Sequence, residues 1–233
     1  MPEILLALLD EEAGNLLVEA TDSEIASEIG LDLAGLLGEP EGLACARPTN
    51  GMSLPSITST GPVLRISGVW HNSLIEGPGR RSAVRMQGCP IRCQGCYVPE
   101  TWDFEAGTDV PVVDVAKALL SEPQDGVTIL GGEPFAQPEA LSWLVSQLRA
   151  RDPDVHILVY SGFTYEALNR RGPDVQYVLN NIDILIDGPY VLALSGSAGP
   201  WTGSGNQRVL DMRATRATGE VVLWQEEADA RAA

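Results

Sequence analysis

Gly88-Cys89-Pro90-Ile91-Arg92-Cys93-Gln94-Gly95-Cys96-Tyr97 holds three of the four cysteines of this chain of 233 residues. The spacing C-x3-C-x2-C lets one backbone loop bring the three thiols together. Disulfide pairing does not suit this set, because three is an odd number and such short disulfide loops are strained. Thiolates favour iron–sulfur clusters, zinc or copper(I). Closed zinc sites and most cluster sites use four protein ligands, so three thiolates leave one metal position open.

A second motif, Gly131-Gly132-Glu133-Pro134, comes at the end of a predicted buried strand. Together the two motifs resemble the radical S-adenosylmethionine (SAM) superfamily. In that superfamily three cysteines hold a [4Fe-4S] cluster, and SAM binds the fourth iron through its amino and carboxylate groups. The resemblance assigns Cys89, Cys93 and Cys96 as cluster ligands. A structural zinc site and ordinary buried thiols are the alternatives.

The resemblance also implies how SAM is held. Gly131 and Gly132 would let the chain turn sharply and expose backbone carbonyl groups to an ammonium group. Glu133 would accept a hydrogen bond from the same ammonium group. These three residues are therefore predicted to bind the methionine end of SAM.

Three further residues are candidates for cofactor contacts. Gly95 would let backbone N–H groups approach the cluster sulfurs; it stands where the superfamily often has an aromatic residue. Tyr97 would pack beside the adenine, or else in the core. Ser161 would bond the ribose, or else cap the next helix. Arg80 and Arg81 would pair with the SAM carboxylate or with surface acids, and the sequence does not decide between these.

Strands and helices alternate along most of the chain. Alternating and buried apolar runs predict strands, and apolar periodicity with Pro near a first turn predicts helices. The strands fall at 63–69, 83–86, 127–130, 155–160, 182–187, 207–210 and 221–224, and the helices at 109–120, 138–151 and 164–170. This order predicts an α/β fold with a parallel sheet, in the form of a partial (βα) barrel of about six units. Ligands of such sheets bind at the carboxyl ends of the strands, where the cysteine loop, the GGEP motif and Ser161 are expected to meet.

Residues 1–60 differ in composition from the rest. The first 46 residues hold 11 of the 32 acidic residues and no Lys or Arg. Their apolar residues predict two acidic amphipathic helices, followed by a linker rich in Pro and Gly. The fourth cysteine, Cys45, is interpreted as a lone thiol. We therefore expect an acidic helical extension with a linker at 1–60, a catalytic domain at 61–224 and a polar tail at 225–233.

The net charge of −17 disfavours nucleic acid and anionic membranes as direct partners. No apolar run reaches the roughly 20 residues of a membrane span, and no basic segment precedes an apolar one as in a secretory signal. The expected location is cytoplasmic, with reduced thiols.

Several longer stretches resemble one family within the radical SAM superfamily. In the same order along the chain, they are similar to segments of the activating proteins of anaerobic (class III) ribonucleoside-triphosphate reductases. The stretches are Glu76-Gly77-Pro78-Gly79-x-Arg81, Cys96-Tyr97-x-Pro99-Glu100-Thr101-Trp102, Tyr160–Leu168, Leu185–Tyr190 and Trp201-x-Gly203-Ser204-x-Asn206-Gln207-Arg208. The last stretch is expected to close the SAM pocket or to line the substrate groove, with Asn206 and Gln207 bonding a backbone.

This resemblance implies an enzyme that cleaves SAM reductively at the cluster to give a 5′-deoxyadenosyl radical. The radical would take hydrogen from a glycine of the partner reductase, with flavodoxin or ferredoxin as the electron donor. No acid–base residue is needed, so no catalytic side chain is predicted beyond the cluster and SAM. The alternatives are a radical SAM enzyme acting on another peptide, glycyl-radical enzyme or small molecule, and a non-catalytic zinc or Fe–S module.

Overall fold

The computed structural model describes residues 9–10, 15–16 and 61–225. The chain divides into two compact units, Met1–Ser56 and Ile57–Ala233. In the first unit, strand β1 (Leu9–Asp10) pairs antiparallel with strand β2 (Asn15–Leu16). The first predicted helix is therefore wrong at these four residues; a short apolar run suits a strand as well as a helix, and the intervening Gly14 disfavours a helix. The remainder of the predicted extension, the linker and Cys45 lie outside the described residues.

The second unit contains a seven-stranded sheet. Its strands are β3 (Val63–Ser73), β4 (Arg81–Met86), β5 (Thr108–Pro111), β6 (Gly126–Gly131), β7 (Ile157–Tyr160), β8 (Ile184–Asp187) and β9 (Arg208–Asp211). Their order in the sheet is β5-β3-β4-β6-β7-β8-β9. The four central strands β4, β6, β7 and β8 run parallel, whereas β3, β5 and β9 pair antiparallel with their neighbours.

Five α-helices connect or follow these strands. They are α1 (Val112–Leu119), α2 (Pro138–Arg151), α3 (Tyr165–Leu168), α4 (Pro173–Asn181) and α5 (Met212–Thr218). Side-chain caps fix two of the starts, because Thr164 accepts from the N–H of Ala167 and Asp211 accepts from the N–H of Ala214. Single 3₁₀ turns occupy Pro99–Trp102 and Pro134–Ala136, and a longer 3₁₀ segment spans Leu192–Ser197.

The two faces of the sheet are covered differently. Successive side chains of a strand point to opposite faces, and Val84 and Met86 of β4 belong to the main core with apolar residues of α1, α2 and α4. Arg85, which lies between them, lines a cavity instead. A smaller cluster around Leu158 and Ile186 packs on Trp201 and Trp224, so the face away from the main core is covered by loop and tail residues.

The mixed α/β fold is confirmed, and helix α2 has the predicted bounds. The prediction of a parallel sheet holds only for the four central strands. The sheet is open, with β5 and β9 at its edges, and the partial barrel stays a prediction. Residues 109–111 pair with β3 before the helix begins, and residues 221–224 make one isolated bridge, Leu210 to Leu223, instead of a strand.

Two helices were missed, for different reasons. Helix α4 begins at Pro173, which we interpreted as a stop although proline is favoured in a first helical turn. Helix α5 is only seven residues long, and its alternation of Arg, Ala and Thr gives little apolar periodicity. In the described residues, no helix is both long enough and apolar enough to cross a membrane.

Candidate active site

A cavity of about 470 Å³ lies at the carboxyl ends of the parallel strands. It is lined by the three cysteines of the loop, by Gly131–Pro134 after β6, and by Ser161 and Gly162 after β7. The remaining lining residues come from neighbouring loops and strands: Ile75, Glu76, Arg85, Ile91, Tyr97, Val98, Trp102, Leu130, Tyr160, Gly188, Tyr190, Gly203 and Gln207. The three sequence segments predicted to meet at one mouth therefore do meet there.

The cysteine loop leaves β4 and is fastened to the 3₁₀ turn that follows it. The N–H groups of Gly88 and Cys89 donate to the carbonyl oxygens of Thr101 and Trp102, at 2.8 and 3.2 Å. The Gln87 side chain adds bonds to two further carbonyl groups of that turn. Gly88 has a φ of 90°, and a Cβ there would stand 2.5 Å from the Phe104 ring. Only glycine fits at this position, so the turn into the loop depends on it.

The three thiols are free and line the same cavity. Burial raises the pKa of the Cys89 thiol, and the backbone N–H groups of Arg92 and Ile91 oppose that rise. Burial likewise raises the pKa of the Cys93 thiol, opposed by the Tyr190 N–H. Amide donors beside sulfur are one of the features that tune iron–sulfur clusters. Binding of a metal would have to release the protons of these thiols.

Within the described ranges, no three His, Cys, Asp or Glu side chains are grouped as the ligands of one metal ion would be. A [4Fe-4S] cluster does not ask for that grouping, because each thiolate binds a different iron. Three free thiols on one cavity wall, with amide donors near two of the sulfurs, fit a cluster that keeps one iron open.

Gly131 and Gly132 allow the end of β6 to pass directly against the cysteine loop. The N–H of Gly132 donates to Met86 O, and the N–H of Glu133 donates to Gly88 O, each at 2.9 Å. A Cβ on Gly132 would overlap the Gly88 carbonyl, and Gly131 has a φ of 103° with Met86 backbone atoms within 2.8 Å of a Cβ position. The two glycines therefore couple the two motifs through the backbone.

Glu133 is fully buried and bridges the ends of β6 and β7. Its Oε1 accepts from the Phe135 N–H and the Ser161 hydroxyl, both at 3.0 Å, and its Oε2 accepts from the Gly162 N–H at 2.8 Å. Burial raises the pKa of Glu133 to about 7, against the lowering by these donors. A carboxylate has about four acceptor sites, and these three donors occupy three of them.

Ser161 and Tyr97 lie on the cavity wall, but Gly95 does not. The Ser161 hydroxyl is engaged with Glu133 and also accepts from the Phe163 N–H at 3.0 Å. Tyr97 is 73% exposed, with its ring centroid 5.1 Å from that of Tyr190. Packing of Tyr97 in the core is thereby excluded. A Cβ on Gly95 would stand 3.1 Å from the Leu192 methyl groups.

The side chains of Asn206 and Gln207 bind a backbone, which is that of this chain and was not identified from the sequence. The Asn206 amide donates to Pro189 O at 2.8 Å, and the Gln207 amide donates to Gly188 O at 3.0 Å. The Ser204 hydroxyl accepts from the Val191 N–H at 3.1 Å. We call these paired segments, 188–191 and 203–207, the clasp.

The clasp presents Tyr190 to the cavity. A Cβ on Gly203 would stand 3.0 Å from the Tyr190 ring, so the glycine lets the ring lie flat against the loop. At the base of the clasp, Arg208 binds the buried Asp187 through two nitrogens, at 2.9 and 2.5 Å, and also pairs with the exposed Glu166. The clasp is thereby fixed to the end of β8.

Arg81 does not reach the cavity. It begins β4, at the opposite end from the cysteine loop, and is fully buried. Its guanidinium donates to Thr128 Oγ1 and to the carbonyl groups of Pro78, Val127 and His156. Burial lowers the pKa of Arg81 to about 10. Arg80 is exposed and also lies off the cavity wall, so neither arginine matches the suggested SAM carboxylate partner.

Sequence reasoning missed the arginine that does line the cavity, Arg85, together with Trp102, Glu76 and Tyr190. The alternation of β4 contained the signal for Arg85, because its two neighbours, Val84 and Met86, are apolar and core-facing. The others come from loops or strand edges, whose side-chain direction no periodicity reveals.

Residues 75–210 match the family described as "4Fe-4S single cluster domain". The chain is also similar to anaerobic ribonucleoside-triphosphate reductase-activating proteins. That of Enterobacteria phage T4 is 33% identical over 146 residues, which cover 60% of this chain and 90% of the phage protein. Those of Salmonella typhi and Escherichia coli K12 are 31% and 30% identical over 150 residues, covering 60% of this chain and 94% of each relative. The chain belongs to the 4Fe-4S single-cluster family that includes the anaerobic ribonucleoside-triphosphate reductase-activating proteins.

Proposed function

We propose that this protein is a radical SAM enzyme that generates a glycyl radical on an anaerobic ribonucleotide reductase. The observation that carries the proposal is the convergence of three free thiols, the Gly131–Glu133 turn and the Ser161–Gly162 turn on one cavity. The relatives at about 30% identity are named as activating proteins of that reductase.

Cys89, Cys93 and Cys96 would hold the [4Fe-4S] cluster, with the fourth iron open to SAM. When bound, the reduced cluster and SAM would supply the radical chemistry that takes a hydrogen atom from the target glycine. The protein's own part is to bind, to orient and to exclude water.

Gly131, Gly132 and Glu133 would hold the amino group of SAM. Support comes from the place of these residues on the cavity wall and from the burial of Glu133, which strengthens any hydrogen bond to it. Ser161 would hold Glu133 in place and face the ribose. Tyr97 would pack beside the adenine, supported by its exposed ring next to Tyr190.

Gly95 keeps a supporting role in this proposal. It has a φ of 74°, and Leu192 stands against it, so a side chain there would be strained and crowded. It would keep the cysteine loop compact rather than touch SAM.

The same proposal includes the electron donor, the cellular location, the form of the sheet and the domain bounds. The electron donor would be a flavodoxin or ferredoxin, and the location would be the cytoplasm. The sheet would form a partial (βα) barrel of about six units. Residues 1–60 would form the extension and linker, 61–224 the radical SAM domain and 225–233 the tail.

The test is an anaerobic reaction with the protein reconstituted with iron and sulfide, reduced by dithionite and given SAM. We expect 5′-deoxyadenosine, and a glycyl radical in the electron paramagnetic resonance (EPR) spectrum when the reductase of the same organism is added. Cys93→Ala should abolish both products, whereas Cys45→Ala, a cysteine outside the loop, should keep them. A wild-type protein that binds iron and SAM but forms no 5′-deoxyadenosine would refute the proposal.

A further inference from the structure

The cavity wall includes five residues besides the groups assigned to the cluster and SAM. They are Ile75, Glu76, Arg85, Trp102 and Leu130. None of these five residues has a role in holding the cluster or SAM in the proposed function. In the described part of the chain, the Trp102 indole N–H and the Arg85 guanidinium make no hydrogen bond, which distinguishes these two residues.

Trp102 holds a buried donor without a partner. Its indole Nε1 is shielded from solvent and makes no hydrogen bond in the described part of the chain. Buried polar groups are paired in the great majority of cases, because an unpaired one costs about 1–3 kcal/mol. Trp102 also lines the cavity, so a ligand oxygen that accepts from Nε1 would satisfy this donor.

Arg85 is the second donor. Among the described residues its guanidinium makes no hydrogen bond; Glu100 Oε1 lies 3.6 Å away, and the Trp70 ring lies below it at 5.2 Å. The side chain packs over Gly131, where any Cβ would overlap it. The ring, this glycine and the ion pair with Glu100 therefore hold Arg85 at the cavity, and its N–H groups make no hydrogen bond to the described residues.

The surrounding charges favour a neutral acceptor over an anion. Glu100 stands beside Arg85, and Glu76 lines the same cavity and interacts electrostatically with Arg85, so the positive charge already has two carboxylates near it. The chain as a whole has a net charge of −17. A peptide carbonyl accepts hydrogen bonds without adding negative charge, whereas a carboxylate would be repelled.

The arrangement suits a polypeptide backbone in particular. A backbone alternates carbonyl acceptors with N–H donors. The site offers two donors together with the Glu76 carboxylate, one oxygen of which already accepts from the Ser73 hydroxyl. Apolar Ile75 and Leu130 line the same cavity, and Leu74 and Ile75 are 64% and 77% exposed. An apolar wall with a few directed polar groups is typical of a binding cleft.

We propose that Trp102 and Arg85 bind backbone carbonyl groups of the partner's segment around its target glycine. This inference rests on the proposed function, and it names residues that select and orient the protein substrate rather than the cofactor. Both would act by holding the glycine Cα at the cofactor end of the cavity.

The test compares Trp102→Phe and Arg85→Met with two matched surface variants, Trp143→Phe and Arg151→Met, which change exposed residues of α2. All are full-length, reconstituted proteins. Three quantities are measured: the SAM dissociation constant without partner, the 5′-deoxyadenosine formed without partner, and the reductase concentration that gives half-maximal glycyl radical by EPR.

We expect SAM affinity and partner-free 5′-deoxyadenosine within about twofold of wild type for all four variants. The half-maximal reductase concentration should rise about tenfold for Arg85→Met and about threefold to tenfold for Trp102→Phe, the usual range for losing a charged and a neutral hydrogen bond. The two surface variants should not change it.

Two results would overturn the inference. Weakened SAM binding with an unchanged reductase dependence would assign both donors to the SAM carboxylate. A half-maximal reductase concentration equal to that of the surface variants would show that Trp102 and Arg85 do not bind the partner. Failure of the proposed function is distinct from both, because the wild-type protein itself would then form neither 5′-deoxyadenosine nor a glycyl radical.

Discussion

Replacing Glu133 with Gln separates a binding role from a structural one. The substitution keeps the shape of the side chain and removes its charge. If the amide nitrogen takes the place of Oε2, it faces the Gly162 N–H that now donates at 2.8 Å. Loss of that bond and the unpaired donor would cost about 1–3 kcal/mol of folding free energy. Removal of the buried charge acts in the opposite direction.

The size of that opposing effect follows from the pKa of Glu133, which burial raises from 4.5 to about 7. The unfolded carboxyl ionises first as the pH rises, so the folded protein loses stability between these two values and carries the full cost above pH 7. Glu133→Gln does not show this loss, because the Gln side chain does not ionise. Its stability relative to wild type should therefore increase by about 2–3 kcal/mol between pH 5 and pH 8.

At pH 8 the two effects nearly cancel, so the variant should be about as stable as wild type. Its SAM affinity should nevertheless fall roughly 10- to 100-fold, the usual effect of losing a hydrogen bond to a charged acceptor. Urea unfolding of the cluster-free protein at both pH values measures the first quantity, and anaerobic equilibrium dialysis of the loaded protein measures the second.

Glu139→Gln, at the exposed start of α2, is the control and should change neither quantity. The reasoning fails if the SAM affinity of Glu133→Gln is within twofold of that of wild type and its loss of unfolding free energy relative to wild type is the same at pH 5 and pH 8. Glu133 would then be a structural bridge between β6 and β7.

Three further outcomes are expected. Arg208→Met should lower the free energy of unfolding in urea by about 3 kcal/mol, because it leaves the buried Asp187 carboxylate without its partner. Glu166→Gln removes only the exposed partner and should lower it by less than about 1 kcal/mol. Equal losses would show that the buried and the exposed carboxylate contribute alike and would refute the prediction. Gly132→Ala should lower the unfolding free energy by about 1–3 kcal/mol, because its Cβ overlaps the cysteine loop, and an unchanged midpoint would contradict the close approach. Removal of residues 1–46 should leave partner-free SAM cleavage intact, and loss of cluster assembly would contradict the separate domain.

The sequence predicts the parts of this fold that local chemistry dictates. The strand before Cys89 and the strand before Gly131 follow from apolar runs that end in turn residues, and their parallel pairing brings both motifs to one edge. The antiparallel strands at both edges of the sheet do not follow from any local pattern, because strand direction is decided by pairing between distant segments.

The candidate site divides in the same way. The spacing of the three cysteines predicts that one loop brings their thiols together, and the resemblance to the radical SAM superfamily indicates Glu133. Arg85 and Trp102 belong to the cavity through tertiary packing, since a strand residue and a loop residue meet only after folding. The contacts of Asn206 within the clasp were equally invisible, because a polar side chain that binds its own backbone resembles one that binds a ligand.

The central claim is that three thiolates hold a cluster whose open iron binds SAM. It is tested most directly by electron–nuclear double resonance on the reduced, reconstituted protein with SAM carrying ¹⁵N in its amino group. We predict a ¹⁵N hyperfine coupling to the cluster that is absent with unlabelled SAM. A cluster signal that SAM leaves unchanged, without any ¹⁵N coupling, would contradict the claim.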